Sequence, residues 1–252
     1  MKIQMIYIFI TLSVLLIIIT SCRSTKNINK SLSKVDLLVQ NAISAHGGNK
    51  YNTAHYLFIF RDNTYTFKNN NDSYEYTVTS KKEGRSTLTI LNNQGLSQKG
   101  TDHALTEKQK KAATGSLNSV IYFATLPHKL NDAAVNKKYI GSTVIKNKTY
   151  EIVEISFTED GGGSDHDDIF YYWINKETSI IDYFAYNYQV NNGGVRFRSA
   201  YNTRNVGGIL FQDYINYKAE VGTPLKELPK LWEENKLKEL SRIETEDVKQ
   251  II

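Results

Sequence analysis

Apolar residues follow three rhythms along this chain. From Ile3 to Ile19 they run almost without a break, interrupted only by Gln4, Thr11 and Ser13. From Ser33 to His46 they recur at helical spacing, with Val35, Leu38, Val39, Ala42 and Ile43 on one stripe. Ser33 can cap that helix at its start, and Gly47-Gly48 stop it. Beyond it the rhythm is that of strands. Tyr56 to Phe60 is continuously apolar, and Thr64–Phe67 and Tyr74–Thr79 flank the turn Asn69-Asn70-Asn71-Asp72. Arg85–Leu91 follows. Tyr139–Ile145 pairs with Thr149–Phe157, Ile169–Ile174 with Ile180–Tyr188, and Val195–Tyr201 with Ile209–Tyr217, each pair joined by a polar turn. Short strands in hairpin succession predict an antiparallel meander, since no helices alternate with them as a parallel βαβ sheet requires.

Two stretches break the strand pattern. Thr106 to Leu130 is polar and helix-forming at first, then strongly apolar from Ser116 to Leu126, and it closes at Pro127. A segment so apolar is expected to pack against the sheet. Beyond Gly222 the pattern thins: Leu237, Leu240, Ile243 and Val248 are spaced among charges, which reads as a polar tail or a marginal helix. The expected divisions are therefore 1–21, 22–32, 33–222 and 223–252.

The first of these divisions reads as a signal peptide. Lys2 is its basic end, the apolar run its core, and Ile19-Thr20-Ser21-Cys22 has the form of a bacterial lipobox. Cys22, the chain's only cysteine, is the expected lipidation site. An uncut apolar run would be nearly long enough to span a bilayer, for which about 20 residues are needed. The position of Cys22 favours cleavage instead. Two or three acyl chains there would anchor the protein stably. Residues 22–32 are polar and basic and read as a tether. No Asp follows the cysteine and no acidic cluster follows it either, so the expectation is the outer membrane, facing the periplasm.

Charge and composition narrow the function classes. The net charge is +5 and falls by one without Lys2, with no dense basic cluster, so nucleic-acid binding is not indicated. The lone cysteine removes any disulfide framework. Seventeen tyrosines and ten phenylalanines favour strands. No close pair of His46, His55, His103, His128 and His166 has the spacing of a helical zinc motif, and no nucleophile elbow or phosphate loop occurs. No cofactor, metal or catalytic residue is assigned. His46, at a helix end whose dipole favours imidazolium, reads as a capping or packing residue. Asp165-His166-Asp167-Asp168 follows three glycines but lacks the carboxylate spacing of a calcium loop, and reads as a solvated turn.

Specific segments carry a family likeness. Ala45-His46-Gly47-Gly48, Tyr122 to Leu130, Gly161-Gly162-Gly163-Ser164-Asp165, Tyr172-Trp173-Ile174-Asn175, Gly194 to Arg198 and Phe211 to Tyr217 resemble the uncharacterised lipoprotein family DUF6503. More remotely the layout is similar to the periplasmic lipoprotein carriers LolA and LolB. That resemblance implies an α+β domain: a curved antiparallel β-sheet forming an open half-barrel, helices on its concave side, and a greasy cavity between. Fold alone does not fix function.

The aromatics raise the functional question. Phe170 and Tyr172 share one face of their strand, Tyr171 and Trp173 the other, so both faces are apolar. Phe184, Tyr186 and Tyr188 share a face, as do Phe197 and Tyr201. Either both faces are packed core, or one lines a cavity. The favoured expectation is non-catalytic binding of a lipid, an acyl chain or another apolar ligand, lined by Val120, Ile121, Phe123, Trp173, Phe184 and Tyr186. Each buried CH₂ would contribute about 0.8 kcal/mol. One alternative is an envelope interaction module without a ligand cavity. A second is a hydrolase built on Asp165, Asp167 or Asp168.

Overall fold

Residues 32–158, 168–189 and 192–251 are described by the computed structural model. Helix α1 (Lys34–Ala45) starts where Ser33 caps it, the Ser33 hydroxyl accepting from the Asp36 N–H at 3.2 Å. It buries Val39 and Ala42. A 3₁₀ turn, Gly48–Thr53, leads into five antiparallel strands: β1 (His55–Phe60), β2 (Asn63–Asn70), β3 (Ser73–Lys82), β4 (Arg85–Asn92) and β5 (Gly95–Lys99). Helix α2 (Glu107–Ala124) follows, then six more strands in sequence: β6 (Val135–Ile145), β7 (Lys148–Phe157), β8 (Ile169–Asn175), β9 (Ile181–Tyr188), β10 (Gly194–Val206) and β11 (Ile209–Ala219). Two-residue turns close several hairpins with both residues at positive φ, as at Arg61-Asp62, Lys146-Asn147 and Gly207-Gly208. That backbone matches the twist of the flanking strands.

The segment expected to be a polar tail completes the fold instead. A 3₁₀ turn (Leu225–Glu227) and α3 (Leu228–Glu233) lead to β12 (Lys238–Ile243) and β13 (Glu246–Gln250). β12 pairs with β11, and β13 pairs with β1. The order is β12-β11-β10-β9-β8-β7-β6 in one sheet and β13-β1-β2-β3-β4-β5 in the other. One stretch of chain thus edges both sheets, and together they form an open antiparallel surface. Its charged look has a simple cause: edge strands bury few side chains, and neither β12 nor β13 has a fully buried residue.

Three apolar clusters hold the unit together. The seven-stranded sheet packs Phe170, Tyr172, Ile174, Phe184 and Tyr214 against Val39 and Ala42 of α1, with Tyr122 and Phe123 of α2. Its opposite face packs Trp173, Tyr183 and Phe197 under Leu225, Leu228 and Trp232. The six-stranded sheet packs Tyr56, Phe58, Phe67 and Tyr76 against Leu117 and Ile121 of α2. Both faces of β8 are therefore core, one covered by helices and the other by the C-terminal segment. All three clusters draw their side chains from Ser33–Ile252, which forms one compact unit with its own core.

His46 pins α1 to this frame. Its carbonyl accepts from the Leu210 N–H at 2.9 Å, and its Nε2 accepts from the buried Ile181 N–H at 3.2 Å. Nε2 can accept only when unprotonated, and burial pushes the pKa down from 6.5 to about 4. Desolvation outweighs the helix dipole here. His128, stacked on Tyr51 at 4.6 Å, is likewise lowered to about 4 by burial, with Lys129 adding to the shift. Below pH 6.5 the unfolded chain binds protons that the folded chain refuses, so stability falls as pH drops. Stability should hold steady above pH 6.5 and decline between 6.5 and 4 by on the order of 1 kcal/mol per pH unit for each histidine. Urea midpoints at pH 7.5 and 5 measure this. His128→Phe, which keeps the stack, should show a shallower decline than the wild type; an unchanged slope would exclude His128 as a source.

Candidate functional site

Helix α2 is placed by its ends. A capping box starts it: Thr106 Oγ1 accepts from the Gln109 N–H at 3.3 Å, and Gln109 Oε1 accepts from the Thr106 N–H at 2.9 Å. At the far end the Thr125 hydroxyl donates to the Ile121 carbonyl at 2.7 Å, and Pro127 follows. Between these ends the helix serves two masters. Leu117 and Ile121 enter the core of the six-stranded sheet, while Tyr122 and Phe123 reach the core of the seven-stranded one.

A cavity of about 440 Å³ lies beside this helix. Ser116, Ser119, Val120, Phe123 and Ala124 of α2 form one wall. Phe58 and Phe60 come from β1, Phe170 from β8, Tyr186 and Tyr188 from β9, Arg196 and Arg198 from β10, and Gln212 and Tyr214 from β11. Ile243 and Thr245, where the chain passes from β12 to β13, complete it with Arg61 and Asp168. The cavity thus collects residues from both sheets.

The expected lining residues separate by layer. Val120, Phe123 and Tyr186 border the cavity. Phe184 is fully buried one layer beneath, stacked on Phe123 with ring centres 5.7 Å apart. Ile121 points into the other sheet's core. Trp173 is on the opposite face of its sheet, 5.8 Å from Phe197, because side chains alternate along β8 and its inward set is Phe170, Tyr172 and Ile174. Cys22, Asp165 and Asp167 lie outside the described residues, whereas Asp168 borders the cavity and is already engaged in an interaction. Among the described residues no cluster of three or more His, Cys, Asp or Glu could hold a metal ion. None of their helices is long and apolar enough to cross a membrane.

Sequence reasoning missed the polar half of the site. Arg196 and Arg198 face inward on β10, two residues apart, beside Tyr186 and Tyr188 of β9. Arg198 donates to the Tyr186 hydroxyl at 2.9 Å, and Arg196 donates to the Tyr188 hydroxyl. The Arg198 guanidinium also sits 4.3 Å from the centre of the Phe123 ring. The signal was the alternation Val195-Arg196-Phe197-Arg198, which puts two cations on the face opposite Val195 and Phe197. Burial raises the Tyr172 and Tyr214 phenols far above their ordinary value, although Arg198 works against both shifts, so these hydroxyls stay neutral.

A family model covers residues 18–245. The chain belongs to the family of unknown function DUF6503. No curated protein matches the sequence. In fold, this DUF6503 chain is similar to a LolA superfamily protein from Nitrosomonas europaea, at 10% identity and a TM-score of 0.52, over 88% of this chain and 95% of that one. It also matches a DUF1329 family protein from Desulfovibrio piger at 11% identity and a TM-score of 0.44, over 88% and 95% of the two chains. A third match is the lipoprotein LppX from Mycobacterium tuberculosis, at 11% identity and a TM-score of 0.28, over 63% and 89%. The first of these shows a LolA-like fold.

Layering predicts unequal costs along α2. Ile121→Ala removes a side chain packed on all sides and should lose ~2–5 kcal/mol of unfolding free energy. Phe123→Ala opens onto space that already exists, so it should lose less than the ~3–5 kcal/mol of a fully packed Phe. Urea unfolding of the two variants tests this; a full core penalty at Phe123 would show that the cavity is closed there by packing.

Proposed function

We propose that this protein is a lipid-anchored envelope protein that holds an acyl chain or another apolar ligand in the cavity beside α2, without catalysing a reaction. The observation that carries the reading is the cavity itself. Its volume falls in the ~300–1,000 Å³ range of small-molecule sites, and its walls combine aromatic side chains with a few placed polar groups. Phe58, Phe60, Val120, Phe123 and Phe170 supply the apolar contact that an acyl chain requires. Phe123 is incompletely buried although it contacts a fully buried core, as a movable side chain over a binding site would be. The LolA-like fold agrees with a carrier or holder of such a ligand.

Anchoring is the second half of the reading. Cys22 is the lipidated residue, residues 22–32 are the tether, and the domain hangs from the outer membrane into the periplasm. Among the described residues the large exposed apolar side chains, Leu32, Leu37, Val144, Ile169, Val221 and Leu240, are dispersed over different elements and loops. The cavity therefore carries the functional reading in preference to a protein-docking face.

Two experiments test these halves separately. The Ser33–Ile252 unit should bind a fluorescent fatty acid such as dansyl-undecanoate. Ser119→Trp, which places an indole in the cavity from α2, should abolish that binding while leaving the melting temperature within a few degrees. Equal probe binding by the variant would remove the cavity from the account. In cells, Cys22→Ser should leave the precursor uncleaved and block incorporation of labelled palmitate; equal labelling of both chains would refute the anchor.

A further inference from the structure

Arg198 occupies an unusual position for a cation. It is 7% exposed and sits on the cavity wall. A guanidinium carries five N–H donors and keeps its charge. Here one terminal nitrogen donates to the Tyr186 hydroxyl, and the Nε N–H is buried with no hydrogen-bond partner among the described residues. The aromatic rings of Phe123, Phe184 and Tyr186 lie 4.3, 5.1 and 5.3 Å from the guanidinium centre. Among the described residues no carboxylate forms an ion pair with it. Asp213, the buried carboxylate on the neighbouring strand, is taken by Arg204 at 3.2 Å and by Asn202 and Thr245. The nearby phenols of Tyr172 and Tyr214 are neutral. A cation taken out of water without a counter-charge is unfavourable unless something completes it.

We propose that the ligand completes it: the cavity takes a long-chain monocarboxylate, its carboxylate paired with Arg198 and its alkyl chain along Phe58, Val120, Phe123 and Phe170. This rests on the carrier reading and narrows it to an anionic amphiphile. Arg198 lines the cavity, and the terminal N–H groups that Tyr186 leaves free can donate to a carboxylate there in charge-assisted hydrogen bonds. The aromatic rings that hold the guanidinium plane also supply apolar contact for the first carbons of the chain. A doubly charged phosphate head would call for a second buried cation. The other arginines at the cavity, Arg196 and Arg61, are only partly buried or exposed. Arg196 therefore serves as an outer guide for the anion, and Arg198 as its seat.

The test is competition for bound dansyl-undecanoate on the Ser33–Ile252 unit, using dodecanoate, dodecanol and dodecyl phosphate at fixed salt. Dodecanoate should displace the probe at least tenfold better than dodecanol, and better than dodecyl phosphate. Arg198→Met should reduce dodecanoate affinity at least tenfold and leave dodecanol unchanged, and Arg198→Lys should recover part of the loss. The wild-type ratio needs no variant, so a poorly folded Arg198→Met does not block the answer. Equal affinity for dodecanoate and dodecanol would overturn the carboxylate inference and leave the carrier reading standing. Tighter binding of dodecyl phosphate would overturn the choice of a monocarboxylate. Binding of none of the three would overturn the carrier reading itself, and this inference with it.

Discussion

The fold depends on what happens around Asp213. This carboxylate is 2% exposed at the point where the chain leaves one sheet for the other. It accepts from the Thr245 N–H at 2.9 Å and the Thr245 hydroxyl at 3.2 Å, from Asn202 at 2.6 Å, and it pairs with Arg204 at 3.2 Å. Arg204 in turn donates to the Thr245 carbonyl and hydroxyl. Thr245 lies between β12 and β13, so this knot fixes the residue at which one strand segment stops edging the first sheet and starts edging the second. A buried carboxylate is tolerated because nearly all its lone pairs are used. A bulge makes the geometry possible: β10 shifts register against β11 between Tyr201 and Arg204, with Asn202 at a φ of 48°. Bulges bend and twist a strand, and this one brings both Asn202 and Arg204 onto Asp213.

The cavity lies beside that seam. Only Glu244 and Thr245 separate the strand that edges one sheet from the strand that edges the other. Helix α2 fills the space with Leu117 and Ile121 towards one sheet and Tyr122 and Phe123 towards the other. Where the helix presents Ser116 and Ser119, the fill is incomplete and the cavity remains. Gln212 and Thr245, sequence neighbours or partners of the knot, form part of its wall. The knot that joins the sheets and the wall of the cavity therefore share Thr245.

The sequence made the local parts of this legible and hid the long-range ones. Helix α1 with its Ser33 cap, the apolar half of α2 and the hairpins from β6 to β11 announce themselves because each obeys a local period or turn chemistry. β5 was missed, since Gly95-Leu96-Ser97-Gln98-Lys99 is a short edge strand with few apolar residues. β12 and β13 looked like a tail for the same reason. Trp173 could be assigned to a strand but not to a side, because both faces of β8 are buried and alternation alone does not say which cover lies on which face. Trp232, on the cover of the outer face, was part of the segment read as polar. Half of the expected lining, Val120, Phe123 and Tyr186, borders the cavity, whereas Phe184, on the same face of β9 as Tyr186, lies beneath Phe123 because alternation gives a side chain's face and not its depth.

Two arginines of β10 show how one strand separates structure from site. Arg198 and Arg204 are six residues apart. Arg204 meets a carboxylate, a hydroxyl and a carbonyl, all from the protein, and its charge is spent on the seam. Among the described residues Arg198 meets one hydroxyl and the faces of aromatic rings. Ring faces attract a cation through their quadrupole, but they accept no conventional hydrogen bond and carry no net charge. They hold the guanidinium in place while leaving its donors and its field directed at whatever enters. A core arginine that merely filled space would be better replaced by a Met or Leu of similar length, since an unpaired buried charge is a liability to folding. Its presence on a cavity wall, with no ion-pair partner among the described residues and in a chain that supplies a full partner set to an arginine six residues away, is the arrangement expected when the partner comes from outside.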